Sequence, residues 1–269
     1  MKGDFMSSTP VIDLNKLVVS VNNLMDIADK ELLSAPKGFI RLESSKGYPR
    51  FYYYKNRSDT KGQYLSADNI GFITSICQRD YLIKVSKRMR ELINKIRKGI
   101  HVDLYLEMDN IYFSFNPGRR SLITPIIPDI NTFIKDWYDK NPGSQNSYTI
   151  DKGICTKKGE LVRSKSEKII ADRLLDFEIP YVYEPKLVIN EHLKYPDFIV
   201  LNKRTRQTLI WEHFGLTDDD NYSVNNLLKL FMYERAGYWP GKQLIASFET
   251  SDDPLDSFIV DKKIEAFLL

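Results

Sequence analysis

The stretch YPDFIVLNKRTRQTLIWEHFGL, residues 195–216, reads as a β-hairpin with one acid in each arm. Pro196 to Leu201 and Thr208 to Phe214 are rich in β-branched and aromatic residues, and the polar run Asn202 to Gln207 between them supplies the turn. Asp197 opens the first arm and Glu212 lies in the second, fifteen positions on. Pairing the arms brings the two carboxylates together, where mutual repulsion makes ionisation costly until a cation arrives. Leu209, Ile210, Trp211 and Phe214 mark the second arm as buried, which argues against Glu212 as a solvated turn acid.

Upstream, Arg163-Ser164-Lys165-Ser166-Glu167 leads into Ile169, Ile170, Leu174 and Leu175, an amphipathic helix closed by Pro180. Ser164 and Glu167 have the S-x-x-E spacing of a capping box, in which the glutamate bonds back to the helix start. Tyr181 to Ile189 alternates as a strand, and its Glu184, before Pro185, either assists the acidic pair or faces water. Downstream, Asp218, Asp219 and Asp220 suit the positive end of a helix over 221–236. A strand over 243–248 and a helix over 255–269 follow. On the 221–236 helix Asn225, Asn226, Lys229 and Tyr233 share one face, whereas Leu227, Leu228, Leu230 and Phe231 point largely elsewhere. His213 alternates away from Glu212, so it is a hydrogen-bonded core histidine unless a bulge turns it. Zinc is not expected, because only His101, His192 and His213 exist and neither cysteine lies within five residues of them.

The chain of 269 residues, 42% apolar, can bury one large core and a second smaller one. Pro142-Gly143-Ser144 reads as the linker, giving domains at 1–145 and 146–269. Cys77 and Cys155 suggest neither a disulfide framework nor a metal cluster and are expected to be inert packing residues in a reducing cytoplasm. The start MKGDFMSS lacks a signal peptide's apolar stretch, and no run approaches the roughly 20 apolar residues of a membrane span. A cytoplasmic protein without a membrane partner is the expectation.

Charge is unevenly distributed. Residues 37–98 hold fifteen Lys/Arg against five Asp/Glu, or +10, which leaves −7 for the rest of a chain whose net charge is +3. Aromatics at 51–54 and 64 are interleaved with these cations, a pattern suited to phosphates and bases. The candidate nucleic-acid contacts are Arg50, Lys55, Arg57, Lys84, Lys87, Arg88, Arg90, Lys95, Arg97 and Lys98. The competing reading is a solvated helix face beside strand-core aromatics. A helix over 14–33, strands at 39–42, 50–54 and 63–65 with turns at Lys46-Gly47 and Lys61-Gly62, a basic helix capped by Ser66 or Asp68 and stopping at Gly99, and a helix around 130–138 complete the pattern. Over residues 37–98 this order resembles the arm-type DNA-binding domain of phage-type tyrosine recombinases, with a helical spacer or dimerisation element as the rival.

The words RSKSEKIIADRLL, IPYVYEPKL, YPDFIVL and IWEHFGL, in the order αβββαβα from about residue 152 to the end, resemble the PD-(D/E)XK nuclease superfamily. Within it they resemble the branch whose third strand reads E-H-[LF]-G and whose next helix carries K-x-x-x-Y, here Lys229 to Tyr233. The resemblance implies an α+β protein with a restriction-endonuclease-like core on a central mixed sheet, preceded by a mainly helical region with a small β-meander. It makes Asp197 and Glu212 metal ligands, with Glu167 as a further ligand from the first helix, and Mg²⁺ or Mn²⁺ the ion, both hard cations that prefer oxygen. His213, Glu184 and Tyr233 would assist. The family's lysine is expected two residues after the glutamate, where this chain has Phe214. Either Lys229 replaces it or the site is dead. The implied function is a metal-dependent endonuclease acting on DNA rather than RNA, alone, as a homodimer or with a helicase- or transposase-type partner. The alternative is an inactive nucleic-acid-binding or assembly subunit of a mobile-element or helicase complex.

Overall fold

Two apolar stripes at three- and four-residue spacing build the first part of the chain. The computed structural model describes residues 14–45, 48–148, 150, 153–215 and 220–269. These form two units, Met1–Asp129 and Ile130–Leu269. In the first, α1 (Leu14–Leu32) buries Val21, Leu24 and Ala28. An antiparallel meander follows, of β1 (Phe39–Ser45), β2 (Tyr48–Tyr54) and β3 (Gln63–Leu65), in that order. Then α2 (Ile70–Arg97) buries Ile73, Ile76, Tyr81, Val85, Met89, Leu92 and Ile96, one continuous stripe packed against α1 and the meander. Gly99, at φ +71, adopts the left-handed conformation that ends this helix. Ser66 does not cap it: a 3-10 turn intervenes, and the Ser66 hydroxyl donates to Asp68 at 3.1 Å. Two short helices, α3 (Leu104–Phe113) and α4 (Pro117–Arg120), were absent from the sequence reading and are capped by Asp103 and Asn116.

The second unit runs α5 (Ile130–Lys140), β4 (Ile154–Cys155), β5 (Leu161–Val162), α6 (Lys165–Asp176), β6 (Tyr181–Tyr183), β7 (Leu187–Ile189), β8 (His192–Lys194), β9 (Phe198–Asn202), β10 (Gln207–Phe214), α7 (Asp220–Arg235), β11 (Leu244–Phe248) and α8 (Ser257–Phe267). Its main sheet is ordered β11-β10-β9-β6, with β10 and β11 parallel and the other pairs antiparallel. Alternation along the strands feeds two cores. Phe198, Val200, Leu209, Trp211 and Ile245 pack with α6 and α8, while Ile199, Leu201, Ile210 and Leu244 pack with Trp137 of α5 and Tyr233 of α7. The mixed α+β class expected from the sequence is the one observed.

Several expectations are corrected. The domain boundary falls after Asp129, not after 145. Helix α5 belongs to the second unit because Trp137 is buried there and donates its indole N–H to Thr208 Oγ1 at 2.8 Å. The supposed linker runs along β6, where the N–H groups of Ser144 and Gln145 donate to the carbonyls of Tyr183 and Glu184 at 2.8 and 2.9 Å. The strand expected over 181–189 is broken at Glu184, whose φ is +43 and which precedes a proline with no N–H to pair. Residues 187–194 form a separate hairpin instead. Cys155 is exposed, unlike buried Cys77, whose thiol burial pushes up to about 11. The Lys46-Gly47 turn and the acids Asp218 and Asp219 lie outside the described residues. Among those described, no helix is long and apolar enough to cross a membrane.

Candidate functional site

The β9–β10 register pairs Phe198 with Trp211, which sets Asp197 opposite Glu212. Glu212 shares the α7-facing side of the sheet with Ile210 and is completely buried. Its Oε2 accepts the Tyr233 hydroxyl at 2.7 Å, and its Oε1 accepts the Lys229 ammonium. Lys229 and Tyr233 stand one turn apart on α7, so a single helix face serves both carboxylate oxygens. Lys229 keeps 39% of its side chain exposed, while its amine is directed inward to Glu212.

Asp197 accepts the backbone N–H of His213 at 2.7 Å through Oδ2. Burial pushes its carboxyl well above the usual carboxylate range and the Glu212 charge pushes it further, against the opposing pull of Lys229. Glu167 adds to the rise and the His213 N–H opposes it. For Lys229, burial works against the charge, but Glu212 and Asp197 outweigh it and raise the amine's pKa. The Tyr233 phenol is pushed up by burial and then by the Glu212 charge, which keeps it a donor.

Glu167 forms its cap: its N–H donates to Ser164 Oγ at 3.1 Å, and its Oε2 accepts both the Arg163 N–H and the Tyr183 hydroxyl at 2.8 Å. Its charge also reaches Asp197 and Lys229. Glu184 does not face water. It is buried, with Oε1 accepting from Arg163 Nε at 2.7 Å and Asn146 Nδ2 at 2.8 Å, and its N–H donates to the Asp197 carbonyl at 2.9 Å. Glu184 therefore fixes the backbone beside Asp197.

The His213 ring lies on the opposite face from Glu212, with Nδ1 3.1 Å from Ser247 Oγ and Nε2 3.2 Å from Glu249 Oε1. Glu249 Oε2 accepts the Ser166 hydroxyl at 2.6 Å and the Leu255 N–H at 3.2 Å. Burial opposes ionisation of Glu249, but these donors and His213 outweigh it and hold the carboxyl below its ordinary value. A serine, histidine and glutamate in line suggest a nucleophile, but Ser247 is completely buried and its oxygen accepts the Trp211 indole N–H at 3.1 Å. It cannot meet a substrate. Ser166, Ser247 and Glu249 were missed by sequence reasoning, and the one signal was Ser247 in the strand expected over 243–248 with Glu249 directly after it.

Phe214 is buried and stacks on Phe248 with centroids 5.3 Å apart, so the position where the resemblance expects a lysine belongs to the core. Asn226 ties α7 to the end of β10 by donating to the Gly215 carbonyl at 3.0 Å, while Asn225 is exposed. Among the described residues no three His, Cys, Asp or Glu side chains are grouped to hold a metal ion. What converges is two acids and an ammonium.

In the first unit several candidate nucleic-acid contacts are already paired. Arg88 is held by Glu107 and Glu91 at 2.7 Å each, Arg90 by Asp29 at 2.8 Å, and Lys95 lies 4.0 Å from Glu107. The Lys84 amine donates to Ser114 Oγ at 2.9 Å and sits 4.0 Å from the Phe115 ring centroid. Arg50, Lys55, Arg57, Lys87, Arg97 and Lys98 are exposed.

No known protein family matches the chain, and no solved structure matches it. A segment of 78 residues, 28% of this chain, is 37% identical to the uncharacterized protein MJ1519 of Methanocaldococcus jannaschii. The match spans 6% of that protein's length.

Proposed function

We propose that the chain is a divalent-metal-dependent nuclease that hydrolyses phosphodiester bonds, in DNA rather than RNA. Asp197 and Glu212 would hold the ion and Lys229 would be the catalytic amine. The observation that carries this reading is the completely buried Glu212, bonded to Lys229 and Tyr233, opposite an Asp197 whose ionisation is resisted by burial and by Glu212 itself. Two ionised carboxylates beside one ammonium leave a net negative site, which a cation would relieve. The donor set fits Mg²⁺ or Mn²⁺, since such ions need only one or two carboxylates when waters and substrate phosphate complete the shell. Glu167 stands near enough to add its charge, though one of its oxygens is committed to the α6 cap.

When bound, the ion supplies Lewis-acid polarisation of the phosphate and neutralises its charge. The protein's own groups do the rest. The His213 N–H orients Asp197, and Tyr233 holds Glu212. The Lys229 ammonium, on a part-exposed side chain, would turn from Glu212 to donate to charge developing on the phosphate. The resemblance to the PD-(D/E)XK superfamily supports the same roles. Exposed Arg50, Lys55, Arg57, Lys87, Arg97 and Lys98 would add attraction to the nucleic-acid backbone.

A second reading, a catalytically inactive binding or assembly subunit, is favoured by Phe214 in the lysine position and by the lack of a three-ligand cluster among the described residues. Cleavage of labelled duplex and single-stranded DNA with Mg²⁺ or Mn²⁺ separates the two. Asp197→Ala should abolish cutting, and Lys229→Ala should slow it by about 10²–10³-fold, the cost of removing one preorganised donor. Full activity in Lys229→Ala would discard the lysine assignment. No cutting by the wild type, together with no Mn²⁺ uptake by calorimetry, would establish the second reading.

A further inference from the structure

A pocket of about 450 Å³ opens beside Lys229, lined by Lys194, Tyr195, Leu228, Lys229, Met232 and Tyr233. Its walls are of two kinds. Tyr195, Leu228, Met232 and the ring of Tyr233 are aromatic or apolar, and Lys194 and Lys229 bring ammonium groups. The pocket is continuous with the acidic pair, because Lys229 both lines it and donates to Glu212, and Tyr195 lies two residues before Asp197. Tyr233 is completely buried with its hydroxyl committed to Glu212, so it backs the pocket, and Tyr195, Leu228 and Met232 are left to face an occupant. Leu228 leaves 60% of its surface exposed, apolar area that an occupant would cover.

We propose that this pocket receives one unstacked nucleotide adjacent to the phosphate that is cut, so that the site acts on single strands or strand ends rather than on uninterrupted duplex. A base offers a flat face to Tyr195 and the apolar wall, and its phosphate offers the charge the two lysines match. Stacking of this kind accepts any base. The volume is within the range of small-ligand sites. A paired base inside a duplex has both faces covered and enters a pocket only when extruded, at the cost of unstacking and unpairing. Cleavage beside this pocket rests on the nuclease reading above, whereas the binding of the nucleotide does not.

The test uses the full chain with EDTA present and a short single-stranded DNA carrying 2-aminopurine, against a blunt duplex of the same sequence. The single strand should bind more tightly, with quenching of 2-aminopurine as the base stacks. Tyr195→Ala should weaken single-strand binding by about tenfold and abolish the quench, and Tyr195→Phe should restore both. Lys194→Ala should weaken binding and lower the salt slope by about 0.7, one phosphate contact on a single strand. Equal binding and quenching by wild type and Tyr195→Ala, or equal quenching with the blunt duplex, overturns the proposal. The same proteins are then given Mg²⁺ or Mn²⁺. Quenching without cleavage leaves the nucleotide pocket standing and removes the nuclease reading. Cleavage of blunt duplex undiminished in Tyr195→Ala leaves the nuclease and removes the pocket.

Discussion

Asp197 carries its charge against its surroundings. Its pKa in the folded protein lies well above 3.8, the ordinary value that the unfolded chain keeps, because burial and Glu212 resist ionisation. Below that unfolded value the carboxyl is protonated in both states and has no effect on stability. As pH rises toward the folded pKa the unfolded chain ionises first, so stability falls and levels off only above the raised value, the reverse of a salt-bridged acid. Lys229, raised from 10.5, stabilises the fold throughout the neutral range and loses that contribution only as the amine deprotonates at high pH. Asp197→Asn keeps an oxygen for the His213 N–H and discards the charge. It should therefore be more stable than wild type at pH 7 by about 0.5–2 kcal/mol, the usual gain when a strained functional group is relieved. The two proteins should converge near pH 4 in urea titrations. Millimolar Mn²⁺ should stabilise the wild type alone, since only the intact pair gives a ligand preference for the folded state. A less stable Asp197→Asn at pH 7 would mean that the aspartate is a structural acid.

The element that unites cap and site is α6, because Glu167 bonds the chain entering the helix and also places its charge on the acidic pair. Glu167→Ala should cost about 1 kcal/mol, as loss of a cap does, and Glu167→Gln, which still accepts from Arg163 and Tyr183, should recover most of it. A Gln variant as unstable as Ala would show that the charge, not the cap, supports the helix. The hairpin was legible in the sequence because alternation and a polar turn are local signals, and so was the shared face of Lys229 and Tyr233, which depends only on helical spacing. The break at Glu184 was half legible. Pro185, with no N–H for a ladder, was a local signal against a continuous strand, but nothing local reveals the φ of +43 at Glu184 or its pairing with Arg163. The partners of His213 were equally hidden, since Ser247 and Glu249 meet it from β11 and the residue after it, more than thirty positions on. Helix α3 escaped because LYLEMDNIYF is apolar on several sides and shows no stripe.

At the scale of the whole chain, the position of the boundary changes both the charge argument and the experiment. Residues 1–129 hold twenty Lys/Arg and fourteen Asp/Glu, or +6, against −3 for 130–269, a gentler asymmetry than the segment 37–98 suggested. Within the first unit Asp29 and Glu107, which lie outside 37–98, neutralise Arg90 and Arg88, so the basic face is smaller than that segment's +10. The boundary itself is testable by truncation. A fragment of residues 130–269 retains α5 and the 143–146 strip along β6, so it should unfold in one cooperative urea transition. A fragment starting at 146 loses Trp137 from the core, its bond to Thr208, and the backbone pairing to β6. Removing a buried tryptophan costs about 3–5 kcal/mol, a large part of the roughly 5–15 kcal/mol that holds an ordinary domain together. The shorter fragment should therefore be marginal at 25 °C, with early exchange of the β9–β10 amides. Equal stability of the two fragments would return the boundary to 145. The longer fragment also isolates the role of the basic surface. If exposed Lys87, Arg97 and Lys98 touch phosphates, 130–269 should bind duplex DNA more weakly and with a shallower salt dependence than the full chain. An unchanged slope would exclude them from the nucleic-acid contact and leave attraction to the second unit alone.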